Sequence, residues 1–261
     1  MKYRYKNLST EKLYNNGDFK SNIVETFIKN HNEIYESLIK NSKKINKASN
    51  ILQDTYLNGG RIFFIGAGTS GRLGVMEAAE MPPTFGVESE KFIGLIAGGR
   101  KALTVAAEGA EDRGELAIDE LNKYNFNKKD FLVGISASGT SDYVLSALRK
   151  AKKMKSKNIL LSCNKPKVKI SDLDIILKVG PEILAGSTRL KSGTITKIAL
   201  NIITTSAMMM ADHSYKGLMI DIKPTTKKLR ARCINNLSII LKIEDSLATK
   251  LLEKSKWNIR V

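Results

Sequence analysis

The chain has 261 residues, 42% of them hydrophobic, and a formal net charge of +17. That length and apolar share support one large domain with appendages and exclude global disorder. Two cysteines, Cys163 and Cys233, and two histidines, His31 and His213, argue against a disulfide scaffold, a zinc ribbon, a histidine-rich metal site and a Ser-His-Asp triad.

The opening stretch MKYRYKNLSTEKLYNNG lacks an apolar core, so no signal peptide is expected, and the cysteine usage fits a reducing cytoplasm. Residues 18–58 carry Ile23, Val24, Phe27, Ile28, Ile34, Tyr35, Leu38 and Ile39 at roughly helical spacing. Ile45, Ala48, Ile51 and Leu52 continue the pattern, and Asn58-Gly59-Gly60 supplies a stop. One long or two shorter packing helices are predicted there. The pattern then alternates. RIFFIG, KFIGLIAGG, DFLVGIS, KNILLSC and LDIILKVG read as strands. SGRLGVMEAAE, the region 101–124 and DYVLSALRKAKKM read as helical, as does a long helix from Arg189 to Ala211. This is an α/β pattern, a doubly wound and mostly parallel sheet flanked by helices. From about residue 229 the chain is charged and helical again. The expected division is an N-terminal helical segment over 1–58, an α/β domain over 59–228 and a C-terminal helical segment over 229–261.

Two broad partner classes are unsupported. The longest apolar stretch, Ile195 to Ala211, is short for a span and carries Lys197 and Asn201, so a buried helix is expected and no membrane partner. The lysines are scattered from Lys2 to Lys256, without an Arg-rich arm, a helix-turn-helix pattern or zinc-finger spacing. They read as a solvated surface whose field gathers small anions, with no nucleic-acid partner.

Gly66-Ala67-Gly68-Thr69-Ser70-Gly71 follows the first strand in the form G-x-G-x-x-G. A dinucleotide site expects an acid near the end of the second strand, to bond the ribose hydroxyls. Here that strand ends Leu95-Ile96-Ala97-Gly98-Gly99, with no carboxylate, and no Gly-Lys-Ser/Thr follows to make a Walker loop. The third strand runs into Ser136-Ala137-Ser138-Gly139-Thr140-Ser141. Four hydroxyls beside a glycine at a helix start make an anion cradle, where an ordinary cap needs one. Gly186-Ser187-Thr188-Arg189 is a third polar cluster before a helix.

Glu77 and Glu80 are spaced i, i+3 on the first helix of the α/β region, and Met81-Pro82-Pro83 follows. The double proline predicts that this helix ends near Glu80 and holds its carboxylate on a stiff corner. Glu108-Gly109-Ala110-Glu111-Asp112 is a second acidic cluster. These acids either face solvent or act as proton donor and acceptor, chemistry that needs no cofactor or metal.

Ser136-x-Ser138-Gly139-x-Ser141 resembles the phosphosugar loop of SIS (sugar isomerase) domains. IGAGTSGRLGVMEAAEMPPTFG, GLIAGG, AAEGAED, SCN, VGPEILAGSTRLKSGTITK and LMIDI occur in the order of the N-acetylmuramic acid 6-phosphate etherase family, and the resemblance spans residues 18–235. The chain departs from that family's pattern at Thr140, Lys216, Gly217 and Thr226. The resemblance implies an SIS-like fold and a cytoplasmic, metal-free lyase of cell-wall recycling that acts on a phosphosugar as a homodimer. It cleaves the D-lactyl ether by elimination and then water addition. Carried over by motif, Glu80 protonates the departing lactate oxygen and Glu111 is the base. Ser136, Ser138, Thr140 and Ser141 hold phosphate. Thr69 and Ser70 contact the sugar, helped by Ser187 and Thr188. A phosphosugar isomerase and a non-catalytic phosphosugar sensor are the alternatives; retention of both acids favours catalysis.

Overall fold

Five short apolar runs set the architecture. They are β1 (Ile62–Gly66), β2 (Phe92–Ile96), β3 (Phe131–Ile135), β4 (Lys157–Ser162) and β5 (Leu173–Ile176). All pair in parallel, in the order β2-β1-β3-β4-β5. The structure, a computed structural model, describes residues 7–15 and 19–260.

The runs are almost continuously apolar because helices cover both faces of the sheet. Ile62 and Phe64 share one core with Leu52 of α2 (Glu33–Leu57) and with Ala199 and Ile203 of α6 (Lys191–Met210). Phe63 and Ile65 point the other way, into a core with Leu121 of α4 (Gly114–Lys123) and Leu148 of α5 (Asp142–Lys153). The alternation of a pleated strand is thus read directly by two separate cores. The predicted α/β class is the fold observed.

α3 (Gly68–Phe85) packs against β1 and β2 at very short range. A methyl group on Gly71 would lie 2.6 Å from the Gly66 carbonyl oxygen and 2.6 Å from Ile96, and one on Gly94 would lie 2.4 Å from the Val75 Cα. Glycine therefore lets the helix begin after a single intervening residue, Ala67.

The C-terminal segment is a helical pair, α7 (Lys227–Leu241) and α8 (Asp245–Lys254), with its own small core of Ile222, Cys233, Leu237, Ala248 and Leu252. A short antiparallel hairpin, β6 (Ser214–Tyr215) and β7 (Leu218–Met219), precedes it and was not anticipated from sequence. Asp221 fastens this end. It accepts hydrogen bonds from Arg260 Nη2 at 2.7 Å and pairs with His213 Nδ1 at 2.7 Å.

Three local expectations need correction. α3 does not end at Glu80; it runs through Pro82 and Pro83 to Phe85. Proline removes a backbone donor, yet its fixed φ is helical, and the prolines fall in the last turn. Met81 and Phe85 are buried in the core, and Gly86, at φ 66°, ends the helix by donating to the Pro82 carbonyl at 2.9 Å. Glu80 is accordingly an exposed residue of a continuing helix, while Glu77 is buried. Region 101–124 is not one helical stretch: short 3-10 turns at Arg100–Leu103 and Ala110–Asp112 precede α4. Finally α1 (Ile23–Asn30) does not bury its apolar stripe. Val24 is 70% and Ile28 64% exposed, whereas Thr26 and Asn30 are buried.

The glycine packing gives a direct test. Alanine in a helix interior gains about 1 kcal/mol over glycine from propensity alone. Gly71→Ala should nonetheless lower stability by about 1–3 kcal/mol, because its methyl meets the Gly66 backbone, which cannot yield, as well as the Ile96 side chain. Urea unfolding of the two proteins measures the sign.

Candidate functional site

In a 2-1-3-4-5 sheet the chain leaves β1 toward one edge and β3 toward the other, which opens a crevice at their carboxyl ends. A cavity of about 450 Å³ occupies that crevice. The β1–α3 turn lines it with Thr69 and Ser70, and the β3–α5 loop with Ser136, Ser138 and Ser141. Neither helix start facing it is capped by a side chain at its N-cap position, Ala67 for α3 and Ser141 for α5. The positive dipole ends of both helices therefore favour an anion at this end of the sheet.

The serine loop is held by its own hydroxyls. Ser136 Oγ accepts from the Gly139 N–H at 3.1 Å, and Ser138 Oγ accepts from the Thr140 N–H at 3.2 Å. Gly139 sits at φ +70°, which turns the chain from the strand end into the helix. Thr140 is buried and donates its hydroxyl to Ser138 Oγ at 2.8 Å, so it orients the cradle instead of lining it. Ser141 uses its hydroxyl on the Glu111 carbonyl at 3.2 Å. That bond ties the serine loop to the acidic turn and brings Glu111 into the same cavity, with Glu108 beside it.

The Gly186-Ser187-Thr188 cluster reaches the cavity through Gly186 and Thr188; Ser187 is not part of the lining. Fully buried Glu182 anchors this loop. Its carboxylate accepts from the Lys191 N–H at 3.0 Å, the Ser192 N–H at 2.8 Å and the Ser192 hydroxyl at 2.6 Å, at the start of α6. Cys163 lies against the same turn, and burial pushes its thiol up to about 12, so it is no nucleophile at neutral pH.

Glu80 does not share this cavity. Glu77 points away, into the interior: Thr204 Oγ1 donates to it at 2.6 Å and Asn201 Nδ2 at 2.9 Å, with Lys197 at 3.8 Å. It is a satisfied buried carboxylate joining α3 to α6.

Three polar lining residues were not singled out from sequence: Thr10, Glu11 and Arg72. Thr10 and Glu11 belong to a 3-10 turn at Ser9–Glu11 that crosses the cavity mouth. Its anchor is Asn164 of the SCN motif, whose Oδ1 accepts from the Ser9 N–H at 2.9 Å and whose Nδ2 donates to Ala137 O at 3.0 Å. The Thr10 carbonyl accepts from Gly186 N–H at 2.8 Å. Nothing in the local pattern of residues 9–11 signals this; the partners are about 155 residues away. Arg72 was legible as a base in the first turn after a glycine loop.

Among the described residues, no cluster of His, Cys, Asp or Glu could hold a metal ion and no helix is long and apolar enough to cross a membrane.

The parallel sheet and the serine cradle at its switch point define an SIS-type α/β protein. The model of the glucokinase regulatory protein N-terminal SIS domain matches residues 43–152. Among solved structures, a phosphoheptose isomerase from Neisseria gonorrhoeae superposes with a TM-score of 0.52 at 19% identity, over 72% of this chain and 97% of that one. The Vibrio vulnificus NanR protein complexed with ManNAc-6P gives 0.52 at 14% identity, over 86% and 71%. Sequence relatives are nearer. The chain is 48% identical over 206 residues to N-acetylmuramic acid 6-phosphate etherase of Staphylococcus epidermidis, covering 78% of this chain and 70% of the relative. It is 44% identical over 220 residues to that of Vibrio atlanticus, covering 84% and 72%. The chain belongs to the N-acetylmuramic acid 6-phosphate etherase family.

The N-terminal turn yields a prediction of its own. Asn164→Ala removes the anchor of residues 9–11, so trypsin should cut after exposed Lys12 several-fold faster than in the unaltered protein. Mass spectrometry of timed digests measures this; equal rates would mean that the turn is held elsewhere.

Proposed function

We propose that this chain is a carbon–oxygen lyase that acts on N-acetylmuramic acid 6-phosphate in the cytoplasm. Water and the substrate become N-acetylglucosamine 6-phosphate and D-lactate. The observation that carries the reading is the joining of an uncapped serine cradle to a carboxylate turn by the Ser141–Glu111 bond. The cradle suits a phosphate and the carboxylate suits proton transfer beside it.

In this reading the phosphate lies against Ser136, Ser138 and Ser141, with Thr140 setting the Ser138 hydroxyl. Thr69, Ser70 and Thr188 line the sugar, and Ser187 supports that loop from behind. Glu111 takes the proton from C2. The electron pair left there forms the C2–C3 double bond as the C3–oxygen bond breaks, and the departing oxygen takes a proton from an acid. Water then adds at C3 and a proton returns to C2. Both acid–base steps need no cofactor.

The acid is Glu80, supplied at the cavity by a second copy of the chain. Two features support a homodimer. Glu80 is exposed on the flank of α3, outside its own cavity. The apolar stripe of α1, with Tyr35 and Ile39 of α2, faces outward, an arrangement that costs burial energy in a single chain and gains it in a pair.

Incubating the protein with N-acetylmuramic acid 6-phosphate should release D-lactate, measured by a coupled lactate dehydrogenase assay. Glu111→Gln and Glu80→Gln should each lower kcat by at least about 100-fold while leaving affinity for N-acetylglucosamine 6-phosphate within about threefold. Absence of lactate from folded, phosphosugar-binding protein would end the etherase reading. Full turnover by Glu80→Gln would place the acid within the cavity, where Glu108 stands.

The assembly is tested separately. Light scattering should give twice the mass of one chain, and Val24→Glu with Ile28→Glu should shift it to one. A wild-type monomer that turns over would refute the shared-site arrangement.

A further inference from the structure

The cavity carries an uneven set of charges. Glu11, Glu108 and Glu111 line it, and Arg72 is the one cation among its described lining residues. Arg72 projects from the first turns of α3, and its Nε donates to the Leu103 carbonyl at 3.1 Å. This bond fixes the plane of the guanidinium. Nη1 and Nη2 make no hydrogen bond among the described residues. A tethered, planar, always-charged fork is suited to a carboxylate, which it meets with two parallel N–H···O bonds.

The etherase substrate has two anionic ends, on which the argument rests. One is the phosphate, for which the serine loop and two helix starts already offer neutral donors. The other is the carboxylate of the lactyl arm on C3. The arm is the group that leaves, so it must lie near the acid and base that work at C2 and C3. Arg72, held by the Leu103 carbonyl, lines the same cavity as Glu108 and Glu111. We propose that Arg72 is the specificity-determining residue that binds the lactyl carboxylate, and so separates N-acetylmuramic acid 6-phosphate from phosphosugars without that acid.

The pairing has a consequence for turnover. The product N-acetylglucosamine 6-phosphate has lost the carboxylate, so it keeps the serine cradle and the sugar-lining residues but not the Arg72 contact. Substrate and product then differ in affinity through one side chain, whose fork is left without its anion once lactate departs. A lysine would keep the charge but lose the fixed fork.

Steady-state kinetics of wild type, Arg72→Gln and Arg72→Lys separate the possibilities. The readouts are kcat/KM for N-acetylmuramic acid 6-phosphate and the inhibition constant of N-acetylglucosamine 6-phosphate. Arg72→Gln should lower kcat/KM about 10- to 100-fold, the loss of a charged hydrogen-bonded pair, and leave the inhibition constant within about twofold. Arg72→Lys should fall between. Equal losses for both ligands would assign Arg72 to the phosphate or to the fold and overturn the inference, as would unchanged kinetics. Lactate release by the wild type with parallel losses in the variants refutes Arg72 alone. No lactate from the wild type, with N-acetylglucosamine 6-phosphate still bound, refutes the etherase reading and Arg72 with it.

Discussion

The distance between α3 and β1 governs this molecule. Gly66 and Gly71 approach so closely that a methyl on either would lie 2.6 Å from backbone of the other. The strand therefore passes into the helix across one residue, and the helix start is held at the carboxyl edge of the sheet. Thr69, Ser70 and Arg72 reach the cavity only because of that approach. Gly68 has a different task in the same loop, a positive φ of 54° at the first residue of the helix. The three glycines of the G-x-G-x-x-G pattern thus serve the turn itself. They say nothing about a dinucleotide, which explains why the pattern needed the missing acid and the serine loop to be interpreted.

The sheet was legible because parallel strands covered on both faces are unbroken apolar runs, and RIFFIG and DFLVGIS are such runs. The serine loop was legible because an anion cradle is local: its donors come from six consecutive residues. What local pattern could not give was anything decided across the chain. Pro82 and Pro83 look like a stop, yet burial of Met81 and Phe85 carries the helix past them. Glu77 and Glu80 look equivalent at i, i+3. Asn201 and Thr204 of α6 take one into the interior and leave the other outside. The α1 stripe reads as core, and only the placement of Thr26 and Asn30 shows that it turns outward. Thr10 and Glu11 depend on Asn164, far away in sequence.

The net charge of +17 is not concentrated at the site. Among the described residues three carboxylates and one arginine line the cavity, and the proposed anion cradle is made of hydroxyls, backbone N–H groups and helix ends. This choice of donors has a chemical reason. In the proposed mechanism, a lysine placed against the phosphate would also stand close to Glu111, favour its charged form and weaken it as a base. Neutral dipoles spread the same attraction over many atoms and act most strongly along the helix axis, toward the anion. A cradle of that kind holds the phosphate while disturbing a neighbouring carboxylate less.

The same reasoning bears on why the cradle and the acidic turn are joined by Ser141. A residue at the start of α5 could cap its own helix; here its hydroxyl is given to the Glu111 carbonyl instead. The helix loses a cap, which is worth about 1 kcal/mol. In exchange the acidic turn is held at a fixed separation from the start of α5. The proposed elimination needs its base within hydrogen-bond reach of one carbon, with the phosphate six atoms along the sugar as its handle, and under that proposal this separation is the quantity worth fixing. The short 3-10 turn at Ala110–Asp112, in a stretch whose sequence pattern is helical, is where this fixing is done.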